Sequence, residues 1–238
     1  MHAVEMGGLR VHVTGGTDRD GGVEGPVVVL LHGFGAPGED LVSLHRVLAA
    51  PAGTRVLFPE APISLAGMGF GDGRAWWMID VERLMAIQMG RRGDAEKLRA
   101  EVPAGLSSAR EKVLAMLGDV EKTMKPSHLV LGGFSQGAML SCDVALRSGV
   151  RLDGVVLMSG TLIAEAEWAP LFAKRAGLQA FQSHGQEDAL LPFSNAERLR
   201  DRMTQAGWNV SWVAFRGGHE IPGLVLDGLS AFLGRTLA

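Results

Sequence analysis

The chain has 238 residues, of which 47% are hydrophobic and 21% charged, and its formal net charge is −3. This composition is that of a folded globular protein, and neither the charge nor any basic run or RNA-binding aromatic motif favours binding to nucleic acid. The single cysteine, Cys142, excludes an internal disulfide framework and a thiolate metal site.

The N-terminal sequence predicts neither a secretory signal peptide nor a membrane-spanning segment. The first ten residues, MHAVEMGGLR, lack the basic and then apolar plan of a secretory signal peptide. The longest wholly apolar run near the N-terminus, Val27–Leu31, is far too short to span a bilayer. We therefore expect a cytoplasmic protein without an integral membrane segment.

Short apolar runs alternate with amphipathic segments along the chain. The predicted strands are, in order, Leu9–Val13, Val27–Leu31, Arg55–Phe58, His128–Leu131, Val155–Met158, Leu178–Gln182 and Val210–Phe215. The predicted helices are Glu39–Ala49, Ser107–Met124, Gln136–Arg147, Asn195–Ala206 and Leu224–Leu233. This order predicts an α/β fold, with a mainly parallel central sheet and helices on both faces. The alternating run LRVHV at Leu9–Val13 is predicted to be an edge strand, and the lack of repeats or linkers predicts one domain over 1–238.

A segment at about 62–104 interrupts the alternation of strands and helices. Its glycines, two tryptophans and four methionines do not predict a strand; the methionines are Met68, Met78, Met85 and Met89. One interpretation is a surface loop followed by an ordinary helix. The other is a lid or an acyl-binding wall, because methionine and tryptophan supply adaptable apolar surface and long loops are often functional. A dimer interface at these residues, and hence a homodimer, is a third interpretation that the sequence leaves open.

The sequence LGGFSQGAM at 131–139 contains a Gly-x-Ser-x-Gly pattern centred on Ser135. This pattern marks a strained strand-to-helix turn that presents a serine nucleophile, provided that a strand precedes it and a helix follows. Both conditions are met by the predicted strand at His128–Leu131 and the predicted helix at Gln136–Arg147. Ser135 is therefore the candidate nucleophile, at the carboxyl end of a strand where open parallel sheets bind ligands.

A serine nucleophile needs a histidine base, which follows it in the chain in this class of fold. Only His184 and His219 come after Ser135. His219 lies in FRGGHEIPG, a glycine-rich loop between the last predicted strand and the last helix. His184, in SHGQED, is expected to pack at the end of its strand, so His219 is the candidate base.

The histidine in turn needs a carboxylate, which lies between nucleophile and base in the chain. The candidates considered are Asp153, Glu165, Glu167, Glu187, Asp188 and Asp201. Asp153 precedes a strand, and Glu165, Glu167 and Asp201 are interpreted as solvated charges. Asp188 follows a strand at its carboxyl end, whereas the turn would point Glu187 elsewhere. Asp188 is therefore the candidate acid.

Acyl transfer also requires backbone N–H donors for the oxyanion. The first is expected from Gln136, the residue after the nucleophile. The second is expected from the glycine-rich turn HGFG after the strand Val27–Leu31, with Phe34 as its donor.

With these residues identified, the sequence resembles the phospholipase/carboxylesterase family of α/β-hydrolases, which includes the acyl-protein thioesterases and many small bacterial carboxylesterases. The resemblance is carried by LLHGFG, FPEAP, RAWW, LGGFSQGAM, LMSGTL, SHGQEDALLP and GGHEIP, which extend from about residue 27 to 222. It implies an α/β-hydrolase fold and hydrolysis of small-molecule esters or thioesters without a cofactor or metal. It also implies that Trp76 lies near the acyl site.

The expected activity is that of a serine carboxylesterase acting on short to medium acyl chains. An acyl-protein thioesterase, a lysophospholipase, a lipase with a lid and a non-catalytic binding protein on the same fold are the alternatives. The sequence GAPGED and the residues 78–101 depart from the family pattern, which leaves the substrate preference open. Trp76, Trp77, Met68 and Leu190 are the candidate pocket residues, and Arg74 is assigned no role.

Overall fold

The computed structural model describes residues 1–18, 22, 25–82, 86, 89 and 92–238, with the backbone alone for 92–95. Met85, one of the four methionines singled out in the sequence, lies outside these residues. The strands are β1 (His2–Met6), β2 (Leu9–Gly15), β3 (Val27–Leu31), β4 (Arg55–Pro59), β5 (Ile63–Ser64), β6 (Arg74–Ala75), β7 (Leu129–Phe134), β8 (Gly154–Met158), β9 (Gln179–Gly185) and β10 (Asn209–Phe215). The α-helices are α1 (Arg92–Ala100), α2 (Leu106–Met124), α3 (Gln136–Arg147), α4 (Glu165–Trp168), α5 (Phe193–Gln205) and α6 (Gly223–Thr236).

Eight strands form one central sheet in the order β1-β2-β4-β3-β7-β8-β9-β10. The strands from β4 to β10 in this order are parallel, whereas β2 is antiparallel to both of its neighbours. The predicted mainly parallel sheet is thereby confirmed. The predicted edge position of Leu9–Val13 is wrong, because β1 pairs outside it. A two-residue turn joins β1 and β2, and both of its residues, Gly7 and Gly8, have the positive φ that such hairpins require.

The sheet has a separate apolar core on each face. In β3, Val27, Val29 and Leu31 belong to the core with α2, α3 and α5, whereas Val28 and Leu30 belong to the core with α6. Successive side chains of a strand point to opposite faces, so a strand buried on both sides reads as a continuous apolar run. The segment predicted as a helix at Glu39–Ala49 forms a 3-10 helix at Asp40–Arg46 instead.

Helix α3, which follows Ser135, is anchored by a buried carboxylate. Asp143 of α3 has a fully buried side chain and accepts hydrogen bonds from Arg110 of α2 (2.6 Å), Arg147 of α3 (2.8 Å) and the Trp168 indole of α4 (2.8 Å). These bonds tie α3 to the helices on either side of it. The hydrogen bonds of Asp143 therefore help to fix the position of α3, and with it the position of the residues at the start of this helix.

Asp143→Leu is expected to lower the free energy of unfolding by about 3 kcal/mol, because three donors lose a buried partner. Urea unfolding monitored by circular dichroism measures this change. Asp201→Asn is the matched control, since that carboxylate is 53% exposed and pairs with Arg200 at the surface. The control is expected to change stability by less than about 0.5 kcal/mol. Equal effects of the two substitutions would contradict the anchoring role.

The segment at 62–104 contains a strand pair and a 3-10 helix that its sequence does not predict. Strands β5 and β6 pair as a small antiparallel ribbon, with Ser64 opposite Arg74, and a 3-10 helix at Ala66–Met68 lies between them. Helix α1 follows near the end of the segment. Among the described parts of the chain, no helix is both long and apolar enough to cross a membrane.

Candidate active site

The turn between β7 and α3 is a sharp elbow centred on Ser135. Its backbone has φ 54° and ψ −115°, which is a sparsely populated conformation for a residue with a side chain. A Cβ atom on either Gly133 or Gly137 would collide with the carbonyl oxygen of Leu31 at the end of β3. Both glycines of the pattern are thus required because the elbow packs directly against the neighbouring strand.

Ser135, His219 and Asp188 lie in one hydrogen-bonded chain. Ser135 Oγ is 2.8 Å from His219 Nε2, and His219 Nδ1 is 2.7 Å from Asp188 Oδ2. His219 sits on the loop between β10 and α6, where its ring packs 4.8 Å from that of Phe134. The structure therefore brings together three residues that are far apart in the sequence, in the arrangement of a nucleophile, a base and an acid.

The carboxylate of Asp188 is held on both oxygens. Oδ1 accepts the backbone N–H groups of Leu190 and Leu191, both at 2.9 Å, while Oδ2 faces His219. Burial raises the pKa of Asp188, but the hydrogen bond and charge interaction with His219, aided by the Leu191 N–H, outweigh it and lower that pKa below its usual value. Asp188 is therefore ionised near neutral pH and can stabilise an imidazolium.

His184 contacts the same carboxylate from the end of β9. Its Nε2 donates to the carbonyl of Leu191 (2.8 Å) and lies 3.3 Å from Asp188 Oδ2. Burial lowers the pKa of His184, so the ring is neutral near neutral pH. As expected from its sequence context, this histidine packs at the end of its strand, where it supports the turn that carries Asp188.

The other acidic candidates lie away from the histidine. Glu187 is 62% exposed and pairs with Arg216. Glu165 is not the solvated charge that its sequence context suggests, because it is 20% exposed and pairs with Arg198 and Arg202 of α5. Sequence reasoning missed this network, since it joins elements that are distant in the chain.

The two segments that carry the predicted oxyanion donors, Gln136 and Phe34, meet at Ser135. Gln136 is the first residue of α3, so its N–H has no partner within the helix and lies at the positive end of the helix dipole. Phe34 belongs to the turn after β3, where a Cβ on the preceding residue, Gly33, would lie only 3.3 Å from Ser135 Cβ. The turn after β3 therefore packs directly against Ser135.

Residues 74–77 bond to both sides of this site. On one side, the Gly35 N–H donates to the Arg74 carbonyl (2.9 Å) and the Arg74 N–H donates to the Ala36 carbonyl (3.0 Å). On the other side, the Trp76 N–H donates to Gln136 Oε1 (2.9 Å). Arg74 thus contributes through its backbone, which no sequence signal indicates.

An apolar cavity of about 420 Å³ opens at Ser135 and His219. Trp77 and Leu190 line it, as expected, whereas Trp76 and Met68 do not. Trp76 is 1% exposed and packs behind the cavity, and Met68 is 58% exposed. Further lining residues come from the turn after β3, from the 62–104 segment, from α3 and from the loops after β8 and β9; they include Phe34, Met78, Ile79, Leu98, Pro103, Met139, Ile163 and Leu191.

Comparison with known proteins agrees with this architecture. The family model described as Phospholipase/Carboxylesterase matches residues 20–237. Acyl-protein thioesterase 1 of Gibberella zeae is 26% identical over 220 residues, covering 88% of this chain and 90% of the relative. The corresponding thioesterase of Eremothecium gossypii is 29% identical over 219 residues, covering 88% and 87%.

Solved structures of other proteins have a fold similar to that of this chain. The crystal structure of esterase PE8 superposes with a TM-score of 0.77 at 26% identity, covering 95% of this chain and 97% of that one. The carboxylesterase of Mesorhizobium loti has a TM-score of 0.74 at 17% identity, covering 98% and 99%, which supports the fold alone. The chain belongs to the phospholipase/carboxylesterase family of α/β-hydrolases and is a serine hydrolase of the carboxylesterase or acyl-protein thioesterase type.

Proposed function

We propose that the protein is a carboxylesterase that cleaves esters of short to medium acyl chains through Ser135, His219 and Asp188. The observation that carries this proposal is the hydrogen-bonded chain from Asp188 to Ser135, which ends at the wall of an apolar cavity. A buried ionised acid, an imidazole and a hydroxyl in this order are the groups that acyl transfer through a serine requires.

In the proposed mechanism, His219 Nε2 takes the Ser135 proton as Oγ attacks the ester carbonyl. The oxyanion accepts hydrogen bonds from the N–H groups of Phe34 and Gln136, and Asp188 stabilises the imidazolium. His219 then protonates the departing alkoxide, which leaves an acyl group on Ser135. Water, deprotonated by His219, attacks this acyl-enzyme, and the carboxylic acid departs as Ser135 recovers its proton.

The size and lining of the cavity support the acyl preference. At about 420 Å³, the cavity lies near the lower end of the range of roughly 300–1,000 Å³ that small-molecule sites occupy. Most of its lining, including Trp77 and Leu190, is apolar and favours a hydrocarbon chain, while Asp40, Asp80 and Glu101 also line the cavity. We propose that the 62–104 segment acts as a wall of this acyl site, since Met78, Ile79 and Leu98 line it.

Thioester hydrolysis is the second candidate activity. It is favoured by the curated relatives named acyl-protein thioesterase 1, which match 88% of this chain. The same nucleophile, base and oxyanion donors serve both reactions, because only the leaving atom differs. The distinction therefore depends on the part of the site that receives the leaving group.

A matched panel of esters and thioesters from acetyl to palmitoyl, with lysophosphatidylcholine as a further substrate, tests the proposal. We expect kcat/KM to be highest for esters of short to medium chains. The highest kcat/KM on thioesters would instead indicate a thioesterase. The highest kcat/KM on lysophosphatidylcholine would indicate a lysophospholipase, and on emulsified long-chain esters a lipase. Labelling with a fluorophosphonate and peptide mapping is expected to find the adduct on Ser135. No adduct and no turnover would indicate a binding protein.

A further inference from the structure

We propose that the side-chain amide of Gln136 is a positioning group that holds the two donors of the oxyanion hole at a fixed separation. This role rests on the proposed function, since it presupposes an oxyanion formed at Ser135. The amide does not touch the reacting atoms and acts through the residues 74–77, to which it is bonded.

The amide of Gln136 is buried and bonded at both ends. Gln136 is 1% exposed, its Oε1 accepts the Trp76 N–H (2.9 Å), and its Nε2 donates to the Trp77 carbonyl (2.8 Å). One planar group that accepts from one peptide and donates to the next can satisfy both only in a single orientation. The start of α3, which includes the Gln136 N–H, is thereby fixed relative to Trp76 and Trp77.

The other oxyanion donor is tied to the same short segment. Arg74 exchanges two backbone hydrogen bonds with Gly35 and Ala36, the residues that follow Phe34. The Trp76 indole donates to the carbonyl of His32, which precedes the same turn (3.0 Å). Phe34 is thus held on both sides by groups from 74–77. A closed ring of contacts therefore joins the two donors. On the side of the elbow, the Gln136 side chain closes this ring through its hydrogen bonds to Trp76 and Trp77.

Close packing reinforces this ring. A Cβ on Gly73 would collide with the carbonyl oxygen of Gly35, so the segment approaches the loop more closely than a residue with a side chain allows. Gly73→Ala is therefore a second way to disturb the spacing, from the opposite end of the segment and without altering Gln136.

We expect the substitution of Gln136 to weaken stabilisation of the transition state while leaving substrate binding nearly unchanged. Oxyanion donors act when they lie 2.7–3.1 Å from the oxyanion, a charge that the bound substrate does not yet carry. A displacement of about 1 Å costs up to about 10²-fold in rate. Gln136→Met keeps the side-chain size and the backbone N–H but removes both amide bonds. We expect it to lower kcat by about 10- to 100-fold with KM changed by less than about threefold.

The experiment compares Gln136→Met with Gln182→Met as the matched control. Gln182 of β9 is also fully buried, and its Nε2 donates to the Ala196 carbonyl (2.8 Å), but it does not line the cavity. Thermal unfolding, kcat, KM and the inhibition constant of a boronic acid, whose tetrahedral adduct places an oxygen in the oxyanion hole, are measured for each protein. We expect Gln136→Met to weaken the boronic acid in proportion to kcat, whereas Gln182→Met affects the unfolding temperature alone.

The positioning role would be overturned if Gln136→Met kept the kcat and the boronic acid affinity of the wild type. It would also be overturned if Gln136→Met and Gln182→Met lost kcat equally. If Gln136→Met does not fold, Gln136→Leu, which also lacks both amide hydrogen bonds, supplies the same comparison, and wild-type kcat and boronic acid affinity in that variant overturn the role. Ser135→Ala separates this outcome from failure of the proposed function. An inactive Ser135→Ala beside a fully active Gln136→Met rejects the positioning role alone, whereas an active Ser135→Ala rejects the proposed function itself.

Discussion

Ser135→Ala is expected to lower kcat for ester hydrolysis by about 10⁶-fold, because the proposed acyl-enzyme forms on the Ser135 hydroxyl. The Oγ atom lies 2.8 Å from His219 Nε2 at the tip of the elbow, and its removal leaves the base without a proton to take. The oxyanion donors and the cavity remain, so KM is expected to change little. Initial rates with a p-nitrophenyl ester at high enzyme concentration measure the loss, and the fluorophosphonate adduct should disappear with it.

Ser141→Ala is the matched control for this substitution. Ser141 is a buried serine on α3, the helix that follows Ser135, and its hydroxyl donates to the Gly137 carbonyl (2.8 Å) rather than to a histidine. We expect the control to retain its rate and its labelling. Substantial activity in purified Ser135→Ala would show that the proposed nucleophile is wrong.

Asp188→Asn is expected to lower kcat by about 10⁴-fold while leaving the fold intact. The amide oxygen can still accept the N–H groups of Leu190 and Leu191, which places the NH₂ group toward His219 Nδ1. A donor then faces a donor, and His219 is driven to the tautomer that carries its proton on Nε2. That tautomer cannot accept the proton of Ser135.

Steady-state kinetics and thermal unfolding of Asp188→Asn test this expectation, with Glu187→Gln as the matched control. Glu187 is adjacent in the chain, but it is exposed and pairs with Arg216. We expect the control to keep its kcat. A large loss in Glu187→Gln together with an active Asp188→Asn would exchange the roles of the two carboxylates.

Local sequence predicts most strands of the central sheet and its longer helices, because a strand buried on both faces is a continuous apolar run and a helix buried on one face is amphipathic. Val27–Leu31 is confirmed to the residue, since each of its side chains must be apolar when both faces are covered. Gln136–Arg147 is likewise confirmed as a helix. By contrast, His2–Met6 was missed because its side chains are largely exposed, and its pairing with β2 depends on the Gly7–Gly8 turn rather than on an apolar pattern.

The candidate catalytic residues could be selected by chain order, because the fold class fixes which strand end each of them follows. The Gly-x-Ser-x-Gly pattern indicates Ser135, chain order then selects Asp188 and His219, and the structure brings the three within hydrogen-bonding distance. The pocket residues followed no such rule. Met68 and Trp76 are near in the chain to residues that line the cavity, but the path of the chain through β5 and β6 exposes the first and buries the second behind the site.

The sequence by itself determined the fold class, the strained elbow at Ser135 and the order of the candidate acid and base, because each follows from local patterns and from the direction of parallel strands. Only the tertiary structure decided which side chains line the cavity and how the oxyanion loop is held. Those properties depend on hydrogen bonds between segments about 40 to 60 residues apart, such as the bonds from Trp76 and Trp77 to the Gln136 amide. Nearly every residue type has a backbone N–H and a carbonyl, so hydrogen bonds to these groups cannot be predicted from the residue type.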